Sequence, residues 1–330
     1  MHPAEELCRR SGSPKTRSAA NRSVLFDLSS DNCADVTTTT NHAYKRSLTG
    51  LMRWSELSKL SRWFLATGLG IVAAFAAIAV LVPLLAGWGW IQDPTEALSN
   101  PINAAPSTAH WFGTTRQGYD VFARTLFGAR AALRVVAAAT ILSAFAGVPL
   151  GLLAGYLGGR LDKFLLFLMD TIYTLPGLLL SITLAFVVGR GVLNAAIAVS
   201  ISYVPQYFRV VRNHTVSVKT ELFVEAARAL GASPSRVLSR YLFGNVVQSV
   251  PVLFALNAAD AILILSSLGF LGLGLPEDVP EWGYALKEAL DALPTGVWWA
   301  AFFPGLAIAL LAVGMALLGE GLGELFHERH

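Results

Sequence analysis

Few side chains in this sequence stand where they could do chemistry. Asp260 is a lone carboxylate in an apolar run over 246–275. An acid inside a membrane span is costly and marks a functional site by default. A second candidate lies in the polar, basic stretch 209–244, where residues 225–231 (EAARALG) read as a short amphipathic helix closed by a glycine. A loop that only joins two spans needs no such helix, whereas a loop that grips another protein does. A third is the acidic segment 276–296, with Glu277, Asp278, Glu281, Glu288 and Asp291 against one Lys287. None of these is catalytic machinery. No G-x-x-x-x-G-K-[ST] pattern occurs, so P-loop nucleotide binding is excluded. There is no H-E-x-x-H, G-x-S-x-G or paired carboxylate at the membrane, and no catalytic residue is assigned. Cys8 and Cys33 lie in the polar N-terminal region and the six histidines are scattered, so no metal site is assigned either.

The elements that hold these residues follow from composition. The chain has 330 residues, 54% hydrophobic and only 14% charged, where a soluble domain carries about a quarter charged. Its mean hydropathy is +0.54. The windows 63–92, 135–159 and 292–319 hold no charge, and roughly 20 apolar residues suffice to cross the hydrocarbon core. The fold class is an all-α polytopic membrane protein with six transmembrane helices, near 64–86, 135–157, 164–188, 192–208, 246–275 and 297–318. Prolines recur inside the spans, among them Pro149, Pro176, Pro205, Pro251 and Pro304. Broken backbone is tolerated in lipid where it is buried in protein or lines a cavity, which suits a transport path better than an anchor. Most of the glycines read as small-residue helix packing.

The expected organisation is a disordered polar tail over 1–50, a basic amphipathic lead-in over 51–63, and a first transmembrane helix over 64–90. An extracytoplasmic excursion over 91–130 follows, then a five-helix core over 131–320 containing the 209–244 loop, and a tail over 321–330. Lysine and arginine favour the cytoplasmic side. Arg209, Arg212, Lys219, Arg228, Arg236 and Arg240, with Arg160, Lys163, Arg53, Lys59 and Arg62, place both termini and the 209–244 loop there. Arginines between Arg116 and Arg134 fall on the other side, where they snorkel or pair with protein.

The 209–244 loop closely resembles the EAA loop (E-A-A-x-x-x-G) of ABC-importer membrane subunits, and the resemblance covers about 110–325. His110-Trp111-Phe112-Gly113-Thr114 and Gly118-Tyr119-Asp120-Val121 resemble the outer motif of the dipeptide/oligopeptide permease subfamily. The stretches 147–159, 267–274 (SLGFLGLG), 280–283 (PEWG) and 303–308 (FPGLAI) resemble its later motifs, in the same order. The resemblance implies a type I ABC importer permease fold with a cytoplasmic coupling helix, in the bacterial inner membrane. It implies contact with the ATPase through Glu221, Phe223, Glu225, Ala226, Ala227, Leu230 and Gly231. Small side chains there would allow close approach, Gly231 would end the helix, and Ser233 and Pro234 would start the next. It places the translocation path at Asp260, Ser266 and Ser267, and docking of an extracytoplasmic binding protein at Glu277, Asp278, Glu281 and Trp282. The implied partners are a second, homologous permease, two ATP-binding-cassette ATPase domains, that binding protein and membrane lipid, with no nucleic acid. The chain itself would carry no cofactor, ATP and magnesium being used by the ATPases.

Several positions depart from the pattern. Gln117 and Tyr119 replace the usual residues of the outer motif, and Tyr241 and Gly244 stand where His and Pro are common. Leu265 occupies the place of an acid that many relatives carry, while Asp260 lies about a turn and a half earlier. Asp260 therefore either faces the path and meets a substrate amine, or makes a packing hydrogen bond, or pairs with the partner permease. The alternative function is a stand-alone secondary transporter or channel, which would require an inverted repeat or several intramembrane charges. The substrate is open at this stage: dipeptide, oligopeptide, nickel chelate, glutathione or another solute.

Overall fold

The computed structural model describes residues 58–327, and these fold almost entirely as helix. The expected tail over 1–50, the first part of the lead-in and residues 328–330 lie outside the described residues. Among the described residues there is no strand, only an isolated bridge between Thr114 and Asp120. The described residues form nine helices in order: α1 (Lys59–Gly87), α2 (Val121–Leu157), α3 (Gly159–Tyr173), α4 (Gly177–Val188), α5 (Val192–Val218), α6 (Leu222–Ala229), α7 (Pro234–Phe270), α8 (Trp282–Leu290) and α9 (Trp299–His327). A π-turn (Val237–Leu242) and a 3-10 turn (Val247–Ser249) interrupt α7.

Among the described residues four helices, α1, α2, α7 and α9, are long and apolar enough to cross a membrane. The pair α3 and α4 makes a fifth span if it counts as one, although it is bent by 88°. The expected count of six is thus not reproduced by length and composition. The sixth candidate is α5, which has 27 residues, but its second half carries Gln206, Arg209, Arg212, Asn213 and His214. Boundaries shift as well. Ser58 caps α1 by accepting from the Ser61 amide at 3.1 Å, so helix begins inside the expected lead-in. Helix α2 starts within the expected excursion, because the Asp120 carboxylate accepts from the Ala123 amide at 2.8 Å and supplies its cap. Helix α9 runs on through most of the expected tail.

The proline expectation also needs correcting. Pro149, Pro205 and Pro304 lie inside continuous helices. Pro176 stands at the break between α3 and α4, and Pro251 lies just after the 3-10 turn that interrupts α7. Neighbouring helices can satisfy the carbonyl that a proline frees, so a proline alone does not break a packed span.

Helices α2 and α5 pack along their length. Gly147, Gly151 and Gly155 on α2 meet the α5 backbone so closely that a Cβ at Gly151 would lie 2.6 Å from the Phe208 carbonyl oxygen. The Ser143 hydroxyl crosses the same interface to the Ser200 carbonyl at 2.9 Å. Helices α1 and α9 approach where Gly68 faces the Leu318 backbone and Gly314 faces Ile71. The loop before α2 is pinned to α9: Trp299 Nε1 donates to the Thr114 carbonyl at 3.0 Å, and Phe112 stacks on Phe303 with centroids 3.8 Å apart. The His110 Nδ1 and Asp120 carboxylate, 2.9 Å apart, close that loop on itself.

Candidate coupling surface and transmembrane pocket

The short helix α6 forms as its sequence dictates. Glu225 in its first turn faces the positive end of the helix dipole. At the other end the Leu230, Gly231 and Ala232 amides donate back to the Ala226, Arg228 and Ala227 carbonyls at 2.9 to 3.0 Å. That reversal needs the positive φ of +81° that Gly231 adopts. The next helix opens on Ser233 and Pro234, the latter at a helix start where its missing amide costs nothing.

One face of α6 is internal and the other is free. Val224 and Ala227 are buried, whereas Leu222 and Leu230 are 81% and 77% exposed and Phe223 is also exposed. Glu221, Glu225, Ala226, Arg228 and Gly231 share the exposed surface. Ala227 thus uses its small side chain to seat α6 on its own chain and does not offer it to a partner. The Arg228 guanidinium lies over the Tyr156 ring, 5.5 Å from its centroid.

Polar anchors fix the end of α5, just ahead of α6. Lys219 Nζ donates to the Gly155 carbonyl at 2.7 Å. Arg212 makes a two-pronged contact with Asp162 on α3, at 2.6 and 2.7 Å, the geometry in which arginine and carboxylate bind most specifically. Arg209 donates to Asp170 at 2.6 Å and lies 4.1 Å over the Tyr173 ring. These pairs were not foreseen. Their signal in the sequence was two acids on 159–173 and two arginines three apart on 192–218, visible only once the helices are known to be neighbours.

Asp260, on α7, lines a pocket of about 630 Å³ that opens at the bend between α3 and α4. Tyr173, Thr174, Ser202, Tyr203 and Gln206 line it too. Tyr203 is only 6% exposed, and its hydroxyl has no hydrogen-bond partner among the described residues. Ser266 and Ser267 are not part of this pocket. Their hydroxyls donate to the Ile262 and Leu263 carbonyls of their own helix at 2.8 Å, a common way to hold a serine inside a span.

On the opposite side the acidic segment divides. Glu277 and Asp278 are exposed, and Glu277 pairs with Arg190 at 3.0 Å. Glu281 and Trp282 are 3% and 2% exposed, so the expectation that they dock a partner is corrected: both are internal. Glu281 caps α8 through the Gly283 and Tyr284 amides at 2.9 and 3.1 Å. Trp282 Nε1 donates to the Thr125 carbonyl on α2 at 2.8 Å. Burial pushes the Glu281 carboxyl up to about 7, against the opposing pull of the two amides and of the Arg124 charge. Burial likewise raises Glu288 above the ordinary carboxylate range, again opposed first by Arg124. Arg124 itself is 5% exposed and stands 4.1 Å over the Tyr119 ring, so it is a structural cation inside the protein and does not snorkel. Among the described residues no group of three or more His, Cys, Asp or Glu could hold a metal ion.

Comparison with known proteins fits this arrangement. Residues 147–329, more than half the chain, match the family described as "Binding-protein-dependent transport system inner membrane component". The glutathione transport system permease protein GsiD of Pectobacterium atrosepticum is 35% identical over 258 residues, 77% of this chain and 85% of that protein. The dipeptide transport system permease protein DppC of Alkalihalophilus pseudofirmus is 35% identical over 280 residues, 84% of this chain and 90% of that protein. GsiD of Escherichia coli O6:K15:H31 is 37% identical over 253 residues, 76% and 83% of the two chains. With helices fit to cross a membrane and these relatives, the chain belongs to the binding-protein-dependent transport system inner membrane components, as a multi-pass permease of a bacterial transport system.

Proposed function

We propose that this permease forms one half of the translocation path of an ATP-driven importer for peptide-like solutes, and that α6 is its contact with a cytoplasmic ATPase. The other half of the path is a second, similar permease. Two ATP-binding-cassette ATPase domains, which use ATP and magnesium, sit under the pair, and an extracytoplasmic binding protein delivers the cargo. Both termini and α6 face the cytoplasm. The observation that carries the reading is the exposed apolar rim of α6, with Leu222 81% and Leu230 77% exposed beside Phe223, on a helix otherwise seated by Val224 and Ala227. An apolar rim on a polar loop is costly in water and is covered when a partner groove receives it. Closure of the ATPases on ATP then moves α6, and the bonded end of α5 and α3 moves with it. On the opposite side Glu277 and Asp278 remain to dock the binding protein. The relatives named for glutathione and for dipeptides support a small peptide-like cargo.

The test keeps the fold intact. Exposed Leu222 and Leu230 are replaced together (Leu222→Asp, Leu230→Asp) in the assembled complex. Co-purification of the ATPase should drop about tenfold or more, since two leucines buried at an interface are together worth roughly 3–6 kcal/mol. The second permease should remain bound. Undiminished recovery of ATPase would overturn the assignment of α6.

A further inference from the structure

Resting on the proposed importer function, we infer that the pocket at the bend between α3 and α4 is a cargo site, and that Asp260 receives the protonated amine of the passing solute. The single intramembrane acid of α7 lines the pocket. So does Tyr203, more than nine-tenths buried, whose hydroxyl is without a partner among the described residues. A buried hydroxyl that bonds to nothing is rare, because desolvating it goes uncompensated. It is explained if a ligand supplies the missing bond. Ser202 and Gln206 add polar atoms to the same wall. Ser202 is already engaged, its hydroxyl donating to the Gly177 carbonyl at 3.1 Å, so it is a fixed part of the wall.

The sign of the ligand follows from charge. Both helix ends at the bend line the pocket: the C-terminal end of α3, at Tyr173, and the start of α4, at Gly177 and Leu178. Their partial charges are of opposite sign and about half an elementary charge each, so together they choose neither cation nor anion. Arg209 is turned away from this role by its bond to Asp170. Among the described residues no lysine, arginine or histidine lines the pocket. The full negative charge of Asp260 therefore decides, and the site suits a cation that also donates hydrogen bonds. Dipeptides and glutathione share that group, a free ammonium beside a peptide bond. The volume of about 630 Å³ falls within the range that holds a small organic ligand. The pocket needs broken backbone beside a cavity, the one place where a membrane protein tolerates it.

The complex with its ATPases and binding protein is reconstituted in liposomes, and ATP-dependent uptake of alanyl-alanine and of glutathione is measured. Asp260→Asn should lower uptake at low substrate about tenfold or more, the weight of a lost charge-assisted hydrogen bond. Asp260→Glu should keep most of it. Tyr203→Phe, which removes only the hydroxyl, should lower it about threefold. The second permease should co-purify with Asp260→Asn as with the native chain. Unchanged uptake by Asp260→Asn overturns the site, and so does Asp260→Glu failing as badly as Asp260→Asn. Loss of the second permease from Asp260→Asn also overturns it, by showing that Asp260 pairs with that subunit. A native complex that hydrolyses ATP with its partners but carries neither solute sinks the peptide-like cargo and the amine site together. A native chain that recovers no ATPase sinks the importer reading itself.

Discussion

Glu281 is a carboxylate kept where water does not reach, and its two amide bonds and Arg124 only partly offset that burial. Its carboxyl is pushed up to about 7, above the ordinary value of 4.5. The native state therefore holds this proton more tightly than the unfolded chain does. Stability from Glu281 is fully present below about pH 4.5 and is lost as pH rises to about 7, by roughly 3 kcal/mol in all, with no further change above that. The groups that bear on it are Arg124 from α2 and the Gly283 and Tyr284 amides of its own helix. The purified protein should melt at a lower temperature at pH 8 than at pH 5, and Glu281→Gln should flatten that difference by several degrees. An equal pH dependence in the variant would show that the loss arises elsewhere. None of this was legible in the sequence, where 276–296 reads as an acidic surface. What hides Glu281 is Gly269: a Cβ there would overlap the Glu281 carboxylate, just as one on Gly283 would overlap the Ser266 backbone. The two neighbouring glycine-bearing motifs, 267–274 and 280–283, are thus faces of one contact. Asp260 and Gly231 were legible, because an isolated acid in an apolar run and a glycine after a short helix each carry a local cost that only a site or a turn explains.

Helices α2 and α5 hold together through a stripe of small residues, since lipid tails leave little hydrophobic gain for helix association and close approach must supply the contact. Gly147, Gly151 and Gly155 lie one turn apart, and a Cβ on any of them would come within 2.6 to 2.7 Å of α5 atoms. The backbone oxygens of Val204, Phe208 and Arg212 would lie 2.6 to 2.8 Å away, and they cannot swing aside as a side-chain tip can. Gly151→Ala should therefore push the helices apart and cost about 1–3 kcal/mol, read as a lower melting temperature in detergent. Gly70→Ala is the control: a Cβ at Gly70 meets nothing within 4 Å, so that variant should melt no lower than the native chain. If Gly151→Ala also left melting unchanged, the stripe would not be what sets the spacing of α2 and α5. The sequence showed the glycines but not their partner helix. It also gave no sign of the bend between α3 and α4, because Pro176 looks no different from Pro149, which sits in an unbroken helix.

Across the whole molecule, the proposed ATPase contact and the proposed cargo site are joined by a short path of bonded elements. Helix α6 follows directly on α5, whose end is held by Lys219 to α2 and by Arg212 and Arg209 to α3. Helix α3 in turn ends at the bend that forms the pocket of Asp260. Of these ties, the Arg212–Asp162 pair is the best placed to transmit motion, being two-pronged and with side chains only 21% and 14% exposed. Spatial continuity alone does not prove coupling, so the pair has to be tested by a change that separates binding from transmission. Asp162→Asn leaves the helices and the exposed rim of α6 in place, and ATPase should co-purify with the variant at the native level. Uptake per ATP hydrolysed should nonetheless fall by about tenfold, equivalent to about 1.4 kcal/mol of lost coupling. Exchanging the charges, Asp162→Arg with Arg212→Asp, should recover part of the loss, because an attractive pair is restored in reversed polarity. Native coupling in Asp162→Asn would mean that motion reaches the bend by another route, the Arg209–Asp170 pair or the packed glycine face between α2 and α5. Equal failure of the single variant and the exchanged pair, with ATPase lost from both, would instead make the pair a support for α6 and not a link to the pocket.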